Sequence, residues 1–127
     1  MTAPTTPSPE VPMSSMTLSE TSGQILAAAE THGRVFFVQF DPQTGKVSSP
    51  VSPEEQAKHP VVLGNSRGEV LLAWAEGTGW NKSGSLAWQL YDREGKPLAD
   101  KGRADGLPVW SLHTAFADSS GNFTIIY

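Results

Sequence analysis

The 127-residue chain contains no cysteine, which excludes a disulfide framework, a thiolate nucleophile and a cysteine-ligated zinc. No apolar run approaches the roughly 20 residues that a membrane-spanning helix needs. Positive charge is scarce: 9 Lys+Arg stand against 13 Asp+Glu, a net charge of -4. No basic face of the kind that binds a nucleic-acid polyanion is visible, so none is expected as a partner. Nothing after Met1 resembles the basic and apolar regions of a secretory signal, and the compartment is left open. Residues 1–12, MTAPTTPSPEVP, hold four prolines and three threonines. With almost nothing to bury they cannot offset the entropy of ordering, and a disordered leader is expected.

What is present reads as all-β. From Gly23 onward, short runs rich in Val, Ile, Phe, Trp and Tyr are each closed by Gly, Pro, Asn or Asp, the punctuation of strands and turns. The run Glu69-Val70-Leu71-Leu72-Ala73-Trp74 is continuous rather than alternating, which predicts a strand buried on both faces. Propensity alone would favour helix over Gly23 to Glu30, and a single turn is predicted after Pro53, reaching Lys58.

An internal repeat overrides the first of these helices. Gly23-Gln24-Ile25-Leu26-Ala27-Ala28, Gly68-Glu69-Val70-Leu71-Leu72-Ala73-Trp74 and Gly121-Asn122-Phe123-Thr124-Ile125-Ile126-Tyr127 share a glycine, a polar residue and an apolar run. Val35 to Asp41 matches Leu86 to Asp92, and each leads into a turn, Asp41-Pro42-Gln43-Thr44-Gly45 and Asp92-Arg93-Glu94-Gly95. There Asp accepts from backbone N–H groups and Gly supplies the positive φ. Pro60 and Pro108 are each read as opening a strand. One unit is then four strands, near 60–64, 69–76, 85–92 and 96–101, in an antiparallel meander the size of one β-propeller blade. The chain divides into a first, degraded blade over 13–58, a second over 59–106 and two strands of a further blade over 107–127, about two and a half blades in a partial β-propeller.

On HPVVLGNSRGEVLLAWAEGTGWNKSGSLAWQLYDREGKPLADKGRADGLPVWSLHTAFADSSGNFTIIY, residues 59–127, and more loosely on 23–58, the chain resembles the C-terminal blades of bacterial sialidase-like propeller proteins. The resemblance implies blades packed face to face around a channel in a longer, exported protein. It implies no catalytic residue here. Arg34, Arg67, Arg93 and Arg103 sit in no sialidase motif, and Asp118-Ser119-Ser120-Gly121 has two residues between Asp and Gly where an Asp box has one. Two and a half blades do not close a ring, so the chain is expected to be a fragment, with self-association through open blade edges as another route to closure.

The residues offer few chemical candidates. The loop from Glu76 to Gly84 resembles a phosphate loop superficially, but Asn81 stands where a glycine must precede Lys82. Its functional reading is instead that Trp80, flanked by Asn81, Lys82 and Glu76, stacks on a sugar or a partner surface. His32, His59 and His113 fall in separate units without ligand spacing, so no metal or cofactor is expected. No glycines frame a serine nucleophile. The carboxylate pairs Glu54-Glu55 and Asp100 with Asp105 read as solvated faces rather than as the two acids of a glycosidase. Trp74, Trp88, Trp110, Phe37 and Phe40 read as core, and Asn81 and Asn122 head glycosylation sequons. The expectation is a non-catalytic repeat scaffold whose loops bind a glycan or a protein. The alternatives are the C-terminal part of a glycoside hydrolase with its catalytic residues upstream, or a purely structural module.

Overall fold

The computed structural model describes residues 15–21, 23–53, 56–78, 81–109 and 112–127. The expected leader, Glu54, Glu55, Trp80 and Trp110 lie outside the described residues. Ten strands follow one another: β1 Ser15–Thr21, β2 Gln24–Thr31, β3 Arg34–Asp41, β4 Lys46–Val47, β5 Lys58–Gly64, β6 Val70–Glu76, β7 Gly84–Tyr91, β8 Pro97–Leu107, β9 Thr114–Ala117 and β10 Phe123–Ile126. They form two four-stranded sheets, β1-β2-β3-β4 and β5-β6-β7-β8, and one two-stranded sheet, β9 with β10. Every neighbouring pair is antiparallel and every strand pairs with the next in the chain within its sheet. The described residues contain no helix. Gly23 to Glu30 is therefore a turn and a strand, as the repeat required and propensity did not. The predicted turn of helix is absent from the described part of its span, where Gln56 and Ala57 are irregular and Lys58 opens β5.

Both predicted proline positions shift. Pro60 lies inside β5, where the pairing with β6 slips between Lys58 and Val61. A residue that cannot donate to the ladder is tolerated at such an irregularity. Pro108 follows the end of β8, which runs on to Leu107, and the next strand begins only at Thr114. The last strand of the second unit is longer than expected, and the first strand of the third unit starts later.

Three turns, between β5 and β6, β7 and β8, and β9 and β10, are built alike, from the same side-chain device. Asn65 Oδ1 accepts from the N–H groups of Arg67 and Glu69, both at 3.0 Å. Asp92 Oδ1 takes those of Glu94 and Lys96, and Asp118 Oδ1 those of Ser120 and Asn122, all at 2.9 Å. In each case the glycine three residues on has positive φ, 81° at Gly68, 84° at Gly95 and 87° at Gly121, a conformation that other residues adopt only at a cost. These bonds hold the exposed Asp118 carboxyl below the usual carboxylate range, chiefly through the Asn122 N–H.

The main core lies between the two larger sheets. Leu26, Ala28, Val35 and Phe37 of the first meet Val62, Val70, Leu72, Trp74, Ala87 and Tyr91 of the second. All seven residues of β6 are buried, because its other face, with Leu71, Ala73 and Ala75, is covered as well. On that side a cavity of about 490 Å³ separates Leu71, Leu86, Trp88 and Leu90 from Phe123 and Ile125 of β10. The turn of the second sheet is fastened to that of the two-stranded sheet by polar bonds. Asn65 Nδ2 donates to Gly121 O at 2.9 Å, and Arg67 Nη1 donates to Ser120 O at 2.7 Å.

Candidate functional site

A groove of about 550 Å³ lies at the junction of the first two sheets. Its existence follows from strand lengths. β4 has only two residues, whereas β7 and β8 have eight and eleven, so the first sheet is too narrow at its edge to cover the second. Val51, Ser52 and Pro53 line one wall and Ala87, Tyr91, Pro97, Lys101 and Arg103 the other, with Trp74 and Glu76 below. Val51 is fixed by two backbone bonds to Phe37, both at 2.9 Å, and the Ser52 hydroxyl donates to Val35 O at 2.7 Å.

Alternation along β6 and β8 determines which side chains reach the groove. Trp74 and Glu76 lie two residues apart on one face of β6, and Lys101 and Arg103 do so on β8. Glu76 is buried, 6% exposed. Its Oε1 accepts from Trp74 Nε1 at 2.8 Å and its Oε2 pairs with Arg103 Nη2. A buried carboxylate satisfied on both oxygens is a fixed anchor, and it orients the guanidinium, whose side chain remains 59% exposed. Lys101 has no carboxylate within ion-pair distance among the described residues. Burial pushes the Tyr91 phenol up to about 12, so it stays a neutral hydroxyl. The Trp88 ring lies across Gly102 of β8, so close that a Cβ there would overlap the ring.

The residues expected from the sequence to form one binding loop are distributed differently. Glu76 belongs to the groove and is engaged by Trp74 and Arg103 rather than presented in a loop. Asn81, with φ 52°, and Lys82 are exposed in the β6 to β7 connection and do not line the groove. Trp80 lies outside the described residues. The carboxylates beside Lys101 and Arg103 part company as well: Asp105 accepts from Ser85 Oγ at 2.7 Å, and Asp100 lines the cavity on the other face of the sheet. Asn122 uses its amide on Asp118 Oδ2, at 3.2 Å.

Sequence reasoning separated the three histidines, but two of them meet. His113, just before β9, is buried, 8% exposed, and neither ring nitrogen has a hydrogen-bond partner among the described residues. Burial holds its imidazole below the usual histidine range. The backbone of Ala73 pulls the other way, the charge of nearby His59 adds to the depression, and the backbone of His59 opposes it. The N–H of His59 is held in turn by Glu30 Oε2 at 3.0 Å, so the three sheets converge here. The described residues contain no group of three His, Cys, Asp or Glu side chains suited to a metal.

The histidine carries a pH dependence whose sign is fixed. A group whose folded pKa is depressed takes up its proton more readily in the unfolded chain. Stability is therefore full above the unfolded value of about 6.5 and falls as pH drops from there through the depressed folded value. Thermal melts at pH 7.5 and 5.5 should show the wild type losing more than the His113→Leu variant. Equal losses would mean that His113 titrates normally in the fold.

Compared with known proteins, the chain matches no family model, no curated protein and no solved structure.

Proposed function

We propose that the chain is a non-catalytic repeat scaffold of the sialidase-like β-propeller type, which binds a glycan or protein partner in the groove between its first two sheets. The observation that carries this reading is the Trp74, Glu76 and Arg103 triad. A buried anchor fixes a half-exposed guanidinium at the edge of an apolar-walled groove whose volume suits a ligand.

Glycoside hydrolysis needs two carboxyl groups facing each other across the scissile bond. Among the described residues Glu76 is the single carboxylate lining the groove, and it is engaged by Trp74 and Arg103 from its own sheet. That arrangement favours recognition over hydrolysis.

The test is a titration of ¹⁵N-labelled protein with neutral and acidic oligosaccharides and with peptides, followed at the Trp74 indole N–H. Binding should move that signal together with the amides of Ala87, Lys101 and Arg103, and Glu76→Ala should abolish the response. Shifts confined to residues away from the groove, or turnover of a glycoside by the purified chain, would overturn the proposal.

A further inference from the structure

We infer that the free edge of β8 captures an extended acidic peptide, which joins the second sheet as a fifth strand with its carboxylates opposite Lys101 and Arg103. The inference rests on the binding role proposed above and names the chemistry of the partner.

Three observations converge on this edge. β8 pairs with β7 on one side, and on its other side no strand of the described residues lies beside it. At eleven residues it is the longest strand, whereas β4, the corresponding edge of the first sheet, has two. An unpaired edge presents a row of N–H and C=O groups that an extended segment satisfies whatever its sequence.

The side chains then restrict which segment fits. Lys101 and Arg103 project to the groove side two residues apart, and opposite charges directly across two strands attract. Among the described residues Arg103 is paired with Glu76, whereas Lys101 has no carboxylate within ion-pair distance and is left to attract one from an added strand. The two cations therefore select an acidic partner over a basic one. On the opposite face of β8, Asp100, Gly102 and Ala104 alternate with the cations, and the Trp88 ring lies over Gly102. Apolar side chains of the added strand fit beside that ring, so the favoured ligand alternates acidic and apolar residues.

The probe is a fluorescein-labelled peptide, Thr-Val-Glu-Val-Glu-Val-Thr, with a twin carrying Lys in place of each Glu, read by fluorescence anisotropy. The Glu peptide should bind at least tenfold more tightly than the Lys peptide. Hydrogen exchange should slow at the β8 amides that are not bonded to β7. Lys101→Glu combined with Arg103→Glu should reverse the preference, and Lys101→Glu alone, at an exposed position, should weaken it without loss of fold by circular dichroism.

Equal binding of the two peptides, an unchanged preference in the variants, or protection at β10 in place of β8 would each overturn the inference. If neither peptide binds while oligosaccharides still move the Trp74 indole, the edge proposal fails alone. If neither class of ligand moves it, both proposals fail.

Discussion

Phe37→Ala is expected to lower the unfolding free energy by about 3–5 kcal/mol, the range for deleting a fully buried aromatic ring. Phe37 is completely buried, and its ring meets that of Tyr91 edge-on, with centroids 5.0 Å apart and planes at 63°. Since Phe37 belongs to β3 and Tyr91 to β7, this contact joins the two large sheets. The alanine would leave a cavity at the junction and forfeit an aromatic pair worth about 0.5–1.5 kcal/mol beyond its area. Phe40→Ala provides the comparison, because Phe40 is only half-buried in the same strand, and its cost should be visibly smaller. Urea denaturation measures both. A single transition that moves to lower urea with unchanged slope is the expected signature for Phe37→Ala. A loss below about 1 kcal/mol would mean that the two sheets do not share one core.

That core was partly legible in the sequence. The continuous run from Val70 to Trp74 predicts a strand buried on both faces, and β6 is buried along its whole length. The repeat placed Gly23 to Ala28 in a strand despite two alanines, because β2 lies between two neighbours and tertiary pairing outweighs a propensity of a few tenths of a kcal/mol per residue. The role of proline was less legible. A proline tolerated in a sheet occupies an edge, a first position or an irregularity, and nothing in the sequence around Pro60 says which. Trp88 shows the same ambiguity: it reads as core, but it is only half-buried and its ring lies over Gly102.

The groove was hidden for a different reason. Glu76 stood out in the sequence, but as part of a loop with Trp80, Asn81 and Lys82. Its partners are Trp74, two residues earlier, and Arg103, far along the chain. The i, i+2 spacing in a strand was the available signal for Trp74 with Glu76 and for Lys101 with Arg103. What joins the two pairs is the register of β6, β7 and β8, in which Trp74 stands beside Ala87 and Ala87 beside Arg103. No local pattern encodes that register. His59 and His113 meet in the same way, through the approach of separate sheets.

The turn at Asn65 uses an amide where the turns at Asp92 and Asp118 use carboxylates, and its surroundings give the reason. All three side chains accept two backbone N–H groups through Oδ1, but Asn65 is 2% exposed and its Nδ2 also donates, to Glu69 Oε1 at 2.8 Å and to Gly121 O at 2.9 Å. That hydrogen bond from Asn65 is the chief influence holding the Glu69 carboxyl below its usual range, with the bond from Arg67 next. Asn65→Asp would replace both donated bonds by oxygen facing oxygen, one of them on a carboxylate. The expected cost near neutral pH is about 3 kcal/mol, the upper range for a buried polar group that loses its partner. Repulsion raises the folded pKa of the introduced carboxyl above its unfolded value. By linkage the variant is therefore least destabilised below the unfolded carboxylate range, and its deficit grows as pH rises through the raised folded value. Asp118→Asn makes the reverse exchange at an exposed turn where Oδ1 still accepts, and its cost should stay below about 1 kcal/mol. Denaturation of both variants at pH 4 and pH 7 separates the outcomes. A cost for Asn65→Asp as small as that for Asp118→Asn, or one that does not change with pH, would show that the bridge from Asn65 to Gly121 contributes nothing to joining the second sheet to the two-stranded sheet.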